Sequence, residues 1–253
     1  MITRLGITSL KGGVGKTTIS ALLSLHFAQV ENIKVLVIDL DPQGGASSLL
    51  LGGKVGGYTV ADFLSAVNDG DRPTHVIKDV IQRSPIHENI FIMPANKNLV
   101  SLSPQGVPGD LLGIALDEAS KILPADMLAI IDTGTMPYLV SMGIQASNIV
   151  LVPVMLSQQA VKPTANTLAT VMRAKKMLAG LVPVSLGATQ WEQTVIDRWD
   201  SEFMKKMNAV VYPGYPLSRA ISRGQWVSRG IPEIVQTITK TIADDILDRV
   251  VSV

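Results

Sequence analysis

The sequence has no cysteine among its 253 residues. That excludes disulfides, thiolate metal sites and a cysteine nucleophile, and it is compatible with the cytoplasm. It has no run of 18 uncharged apolar residues, so no membrane-spanning helix is expected. The opening stretch, MITRLGITSL, lacks the basic-then-apolar layout of a secretory signal. There is no internal repeat and no linker rich in Gly, Ser or Pro, which points to one domain over residues 1–253. Histidine is scarce: His26, His75 and His87 are scattered outside any motif and are expected to be structural or surface residues. Net charge is also close to absent, at +1.

Apolar residues make up 47% of the chain and charged residues 17%, which favours a packed core over disorder. Short apolar runs recur at RLGITSL, KVLVIDL, NIFIMPA, MLAIID, NIVLVPV, GLVPVSL and NAVVYPG. They are continuous rather than alternating, as expected of strands buried on both faces. Between them the spacing predicts helices over about 16–30, 59–68, 73–82, 109–122, 136–146, 157–178, 190–207 and 232–251. Strands alternating with helices imply an α/β fold, a doubly wound and mostly parallel sheet with helices on both faces. Crossovers should be right-handed. Residues 52–57 and 103–109 read as surface loops, and the irregular stretch 40–58 is a candidate for movement.

The first motif is SLKGGVGKTTIS, residues 9–20. It follows the first strand and opens the first long helix, the context of a phosphate-binding loop. Gly12, Gly13, Val14 and Gly15 would curl the backbone so that successive N–H groups face phosphate oxygens. The helix N-terminus adds positive potential. Lys16 would reach the β- and γ-phosphates, Thr17 would bind Mg²⁺ and Thr18 would help hold the α-phosphate. The general pattern G-x-x-x-x-G-K-[ST] wants glycine at position 10, where this chain has Leu10 followed by a second lysine, Lys11.

The second motif, VLVIDLDPQGGAS, ends the second strand. Asp39 and Asp41 are two residues apart, so on an extended chain both carboxylates face one way. Ligands of open α/β sheets lie at the carboxyl ends of strands. Two like charges there repel, and a cation between them and the phosphates relieves the repulsion. The third motif, MLAIIDTG, ends an apolar strand in Asp132, the Walker B arrangement, which would hold Mg²⁺ through a water. Within these motifs Asp41 is the best candidate to orient an attacking water.

With KGGVGKTT and VIDLDPQGGAS both in place, the chain resembles the ParA family, deviant-Walker ATPases that segregate plasmids and chromosomes and are cousins of MinD. NIVLVPVMLSQQAV and VVYPGYPLSRAISRG resemble later parts of the family, so the likeness covers most of the chain. The chain opens on its first strand, which resembles the small type without an N-terminal helix-turn-helix. The resemblance implies ATP and Mg²⁺ as cofactors, a weak intrinsic ATPase and a dimer formed on ATP. It implies that Lys11 reaches across that dimer to the partner's nucleotide, that Asp41 orients water and that Asp39 supports the metal site. Lys11 and Lys16 on one short loop repel each other, and two sandwiched ATP molecules would supply the compensating charge. The resemblance also implies nonspecific DNA, a ParB-like centromere-binding partner and a nucleoid location. Two departures stand out. The family's Asp-x-Pro-Pro after Walker B is DTGTMP here, and the polar residue usual after DPQG is Gly45. The absence of cysteine removes the iron–sulfur relatives.

Charge distribution gives the candidates for a DNA surface. Residues 1–126 hold 10 Lys/Arg against 12 Asp/Glu, whereas residues 162–229 hold 10 against 4. Candidates in the basic segment are Arg173, Lys175, Lys176, Lys205, Lys206, Arg219, Arg223 and Arg229, with Arg219 and Arg223 favoured because the family places DNA contacts in that C-terminal region. A MinD-like alternative, positioning at a membrane or protein scaffold, would need a basic amphipathic C-terminal helix. Here Ile238, Ile242, Ile246 and Val250 form an apolar stripe, and Asp244, Asp245 and Asp248 lie on the polar side. The stripe predicts a helix packed on the domain and no membrane contact. A third reading is a nucleotide-gated assembly module with negligible turnover. The loop around Tyr212 and Pro213 is the candidate for holding adenine.

Overall fold

Eight strands and nine α-helices are found among the residues that the computed structural model describes, 2–53, 55–102, 106–184, 187, 189–200, 204–216 and 230–251. In chain order the strands are β1 (Thr3–Ile7), β2 (Val35–Leu40), β3 (Gln82–Arg83), β4 (Ile90–Met93), β5 (Leu128–Thr133), β6 (Ile149–Met155), β7 (Met177–Val184) and β8 (Val210–Val211). They form one sheet in the order β3-β4-β2-β5-β1-β6-β7-β8. Every pairing is parallel except β3 with β4 at one edge. The helices are α1 (Lys16–Gln29), α2 (Gly45–Leu50), α3 (Val60–Asn68), α4 (Pro73–Val80), α5 (Leu111–Ala119), α6 (Pro137–Ala146), α7 (Gln158–Arg173), α8 (Gln190–Trp199) and α9 (Glu233–Val251).

The expected mostly parallel α/β fold is what the chain adopts. Its continuous apolar runs have the expected cause: β2 and β5 are buried at every residue. Alternate residues serve opposite faces. Val35 and Val37 join Leu22, Leu23, Phe27, Ile242 and Ile246 on the side of α1 and α9. Leu36, Ile38 and Leu40 join Phe63, Ile77, Leu112 and Leu139 on the other side. α9 packs by the expected stripe, with Ile238, Ile242 and Ile246 buried. Among the described residues no helix is long and apolar enough to cross a membrane.

Several boundaries differ from expectation. The helix expected over 157–178 ends at Arg173, because Lys175 adopts a left-handed backbone with φ 53. Lys175 N–H donates to the Met172 carbonyl at 3.0 Å and Lys176 N–H to that of Val171 at 3.2 Å, a Schellman cap that turns the chain into β7. Of the helix expected over 190–207, Gln190–Trp199 is α-helical, Asp200 and Met204 are π-helical and Lys205–Met207 form a 3₁₀ turn. One short helix, α2, lies inside the stretch 40–58 read as irregular, and the 3₁₀ segment Lys97–Leu102 falls where no helix is expected. β3 has two residues, too short for any periodicity.

Candidate active site

β1, β2 and β5 lie side by side in the middle of the sheet, and their carboxyl ends carry the three motifs. Asp39 on β2 is in register with Asp132 on β5, and both are fully buried. The glycine loop fills the gap after β1. Gly13 and Gly15 have φ of 74 and 77, the left-handed region that a side chain disfavours. Gly15 also caps α1, so the loop ends on a free helix N-terminus. A Cβ on Gly13 would meet nothing within 4 Å, so the loop opens on space.

Lys16 points back over that loop. It is 7% exposed, and its Nζ donates to the Lys11 carbonyl at 3.1 Å. An ammonium has three protons, so two remain for phosphate oxygens. Burial lowers the Lys16 pKa, while Asp132 and Asp41 act in the opposite direction. Thr17 Oγ1 donates to Asp132 Oδ2 at 2.8 Å, which leaves the hydroxyl lone pairs free for a cation. Ser20, one turn further along α1, donates to Asp132 Oδ1 at 3.0 Å. Burial, then repulsion from Asp39, pushes the Asp132 carboxyl up to about 8, against the pull of Thr17, Ser20 and Lys16. A buried acid held in this way is relieved by a divalent ion.

Asp39 is placed differently. Its Oδ1 accepts from Asp41 N–H at 3.0 Å, and its Oδ2 accepts from Ser47 N–H at 2.8 Å and Ser47 Oγ at 2.7 Å. Ser47 Oγ in turn accepts from Ala95 N–H at 2.8 Å. Burial raises the Asp39 pKa and these donors oppose the rise. Asp39 thus ties the turn 41–47 to the sheet. Asp41 lies just past β2, partly exposed, with Oδ1 accepting from Gln43 N–H at 3.0 Å. Gly45 sits against the metal-side threonine: a Cβ there would come 3.3 Å from Thr17 Cγ2.

The residues present fit a nucleotide triphosphate with its metal: an open amide cradle, a buried ammonium with spare donors and a hydroxyl–carboxylate pair. Lys11 is on the rim of the cradle, partly exposed, and its Nζ has no partner among the described residues. Arg173, Lys175 and Lys176 are elsewhere, just before β7 begins and so at the opposite end of the sheet. Arg173 and Lys175 are exposed and Lys176 is partly buried, with its pKa lowered by burial and by Arg4. Lys205 is exposed. Arg219, Arg223 and Arg229 lie outside the described residues, as does the side chain of Lys206. Tyr212 is buried, and its hydroxyl donates to Asp245 on α9. An adenine contact from this loop would therefore fall to exposed Pro213. His26 packs at the far end of α1 beside Glu31, His75 is exposed and His87 is partly buried.

Sequence reasoning missed Ser20 and Ser47. Ser20 was accessible, since position i+4 from Lys16 shares its helix face. Ser47 meets Asp39 through a turn whose path no spacing rule gives.

A family model described as an AAA domain matches residues 3–181, more than half of the chain. The chromosome-partitioning ATPase Soj of Treponema pallidum is 30% identical over 233 residues, covering 86% of each chain. The chain belongs to the ParA family of ATPases. The sporulation initiation inhibitor protein Soj of Bacillus subtilis, another ParA relative, is 29% identical over 94% of this chain and 97% of its own. The fold of apo McdA from Cyanothece superposes with a TM-score of 0.80 at 21% identity, over 97% of this chain and 100% of McdA.

Proposed function

We propose that this chain is a partition ATPase: Mg²⁺·ATP closes a sandwich dimer, the dimer binds duplex DNA without sequence preference, and hydrolysis stimulated by a ParB-like protein releases it. The observation that carries this reading is the division of labour between two lysines on one loop. Lys16 is buried and turned inward onto Lys11 O, while Lys11 Nζ stands at the rim without a partner among the described residues. A cation left there suits a phosphate presented from outside the protomer.

When bound, Mg²⁺·ATP supplies the scissile anhydride and its charge compensation. Backbone N–H groups of residues 12–18 and Lys16 would hold the phosphates. Thr17 would ligate the metal directly and Asp132 through a water, its raised pKa dropping as the ion arrives. Asp41 would orient the attacking water, and Asp39 would fix the turn that carries it.

Basic residues 173–176 support the DNA step. Lys175 occupies the left-handed cap position where glycine is favoured, at a cost of about 1 kcal/mol. A lysine kept there keeps its charge at the expense of the fold. A membrane role finds no support in α9, whose apolar stripe is used on the domain and whose outer side carries exposed Asp244 and Asp248.

Sedimentation with ATP, ADP and no nucleotide tests the reading, using Asp41→Ala to slow turnover. A dimer with ATP alone is expected, and Lys11→Ala should stay monomeric while binding ATP. An ATP dimer of Lys11→Ala at ordinary concentration would remove the cross-interface role.

A further inference from the structure

The residue that follows the Walker B Asp132–Thr133 pair is in contact with the catalytic candidate Asp41. A Cβ built on Gly134 would lie 3.0 Å from both Cγ and Oδ1 of Asp41 and 3.3 Å from its Cα. Those distances are below ordinary van der Waals contact, so any side chain at 134 would make the Asp41 carboxylate shift from where it rests. The backbone of Gly134 is not left-handed. Its value here is therefore space, not conformational freedom.

We infer that Gly134 is a positioning residue for hydrolysis, a seat that sets where the Asp41 carboxylate rests. The inference rests on Asp41 as the water-orienting acid. Two features converge on one oxygen: Oδ1 accepts from Gln43 N–H at 3.0 Å and occupies the space that a Cβ on Gly134 would need. Oδ2 accepts no hydrogen bond among the described residues and is the oxygen left to hold water. The seat is rigid because its strand is locked next door: Thr133 Oγ1 donates to Thr8 Oγ1 at 3.0 Å, and both side chains are fully buried. Asp132 is two residues back, on β5, which ends at Thr133. The metal-side acid and the seat of the water-side acid thus move as one piece. The DTGTMP departure noted in the sequence falls on this seat.

The test is Gly134→Ala, whose backbone alanine can adopt and whose methyl meets Asp41 alone among its three nearest atoms, the carboxylate at 3.0 Å and the Cα at 3.3 Å. The readouts are single-turnover hydrolysis and ATP affinity, for wild type, Gly134→Ala, Asp41→Ala and the double variant. Gly134→Ala should hydrolyse about tenfold more slowly, because misplacing a catalytic group by an ångström costs up to about a hundredfold. Its ATP affinity and melting temperature should be unchanged, and in the Asp41→Ala background the same substitution should have no further effect. A normal rate in Gly134→Ala beside a defective Asp41→Ala would overturn the seat and leave the role of Asp41 standing. An equal slowing in both backgrounds would overturn it as well, because the effect would not pass through Asp41. A normal rate in Asp41→Ala would remove the reading on which the seat rests.

Discussion

The two ends of the sheet are built on opposite principles. At the carboxyl ends of β1, β2 and β5 nearly every polar side chain has a partner: Lys16 on a carbonyl, Thr17 and Ser20 on Asp132, Ser47 on Asp39. At the other end, among the described residues Arg173 bonds only within its own helix, to the Ala169 carbonyl and Thr170 hydroxyl, and Lys175 is exposed. The first end is preorganised for one small ligand, where placement decides the rate. The second end is a set of solvated charges. On the proposed function, each would be worth little alone and would gain weight when a dimer presents the set twice to one polyanion.

The contrast breaks most sharply at Lys16. Lys16→Ala should lower ATP affinity by about a hundredfold or more, because it removes a desolvated charge-assisted contact. Near-normal affinity in a nucleotide titration would remove the phosphate-loop assignment. At the other end, reversing Arg173, Lys175 and Lys176 together to Glu should leave ATP binding intact. It should weaken DNA binding and flatten its salt dependence by about 0.9 in log–log slope per lost phosphate contact. An unchanged slope would move the DNA face to the other basic candidates.

Acidity sharpens the same comparison. Asp132 binds its proton more tightly folded than unfolded, since its carboxyl is raised to about 8 by burial. Its contribution to stability is therefore fully present below the unfolded value near 4 and is lost as pH rises through about 8. Melting of the nucleotide-free protein should show this loss between pH 5 and pH 8, and Asp132→Asn should flatten it. Identical pH profiles for the two proteins would contradict it. Mg²⁺·ATP binding at pH 7 should release a proton from wild type and not from Asp132→Asn.

The smallest expected effect is the most diagnostic of the basic end. Lys175→Gly should stabilise the fold by about 0.5–1 kcal/mol by relieving the left-handed lysine, while weakening DNA binding. Unaltered DNA affinity in a stabilised variant would make Lys175 a bystander.

The readable parts of the sequence are those whose chemistry is local. The loop 9–20 and the pair Asp39/Asp41 are short-range patterns, and the sheet places them together as the doubly wound order requires. Continuous apolar runs marked the central strands because both faces are covered. What was not legible depends on chain paths between elements. Ser47 reaches Asp39 through a turn, and Gly134 meets Asp41 where the neighbouring strands β5 and β2 end. α7 ends early because a lysine takes a backbone conformation that propensity assigns to glycine.

The central claim is that ATP turns scattered basic side chains into one DNA site. It is tested by binding to random-sequence duplex DNA with ATP, ADP or no nucleotide over a salt series, with Asp41→Ala used to hold the ATP state. Salt-sensitive binding with ATP alone is the predicted result. Equal binding in all three states, or none in any while ATP still binds, would contradict the account.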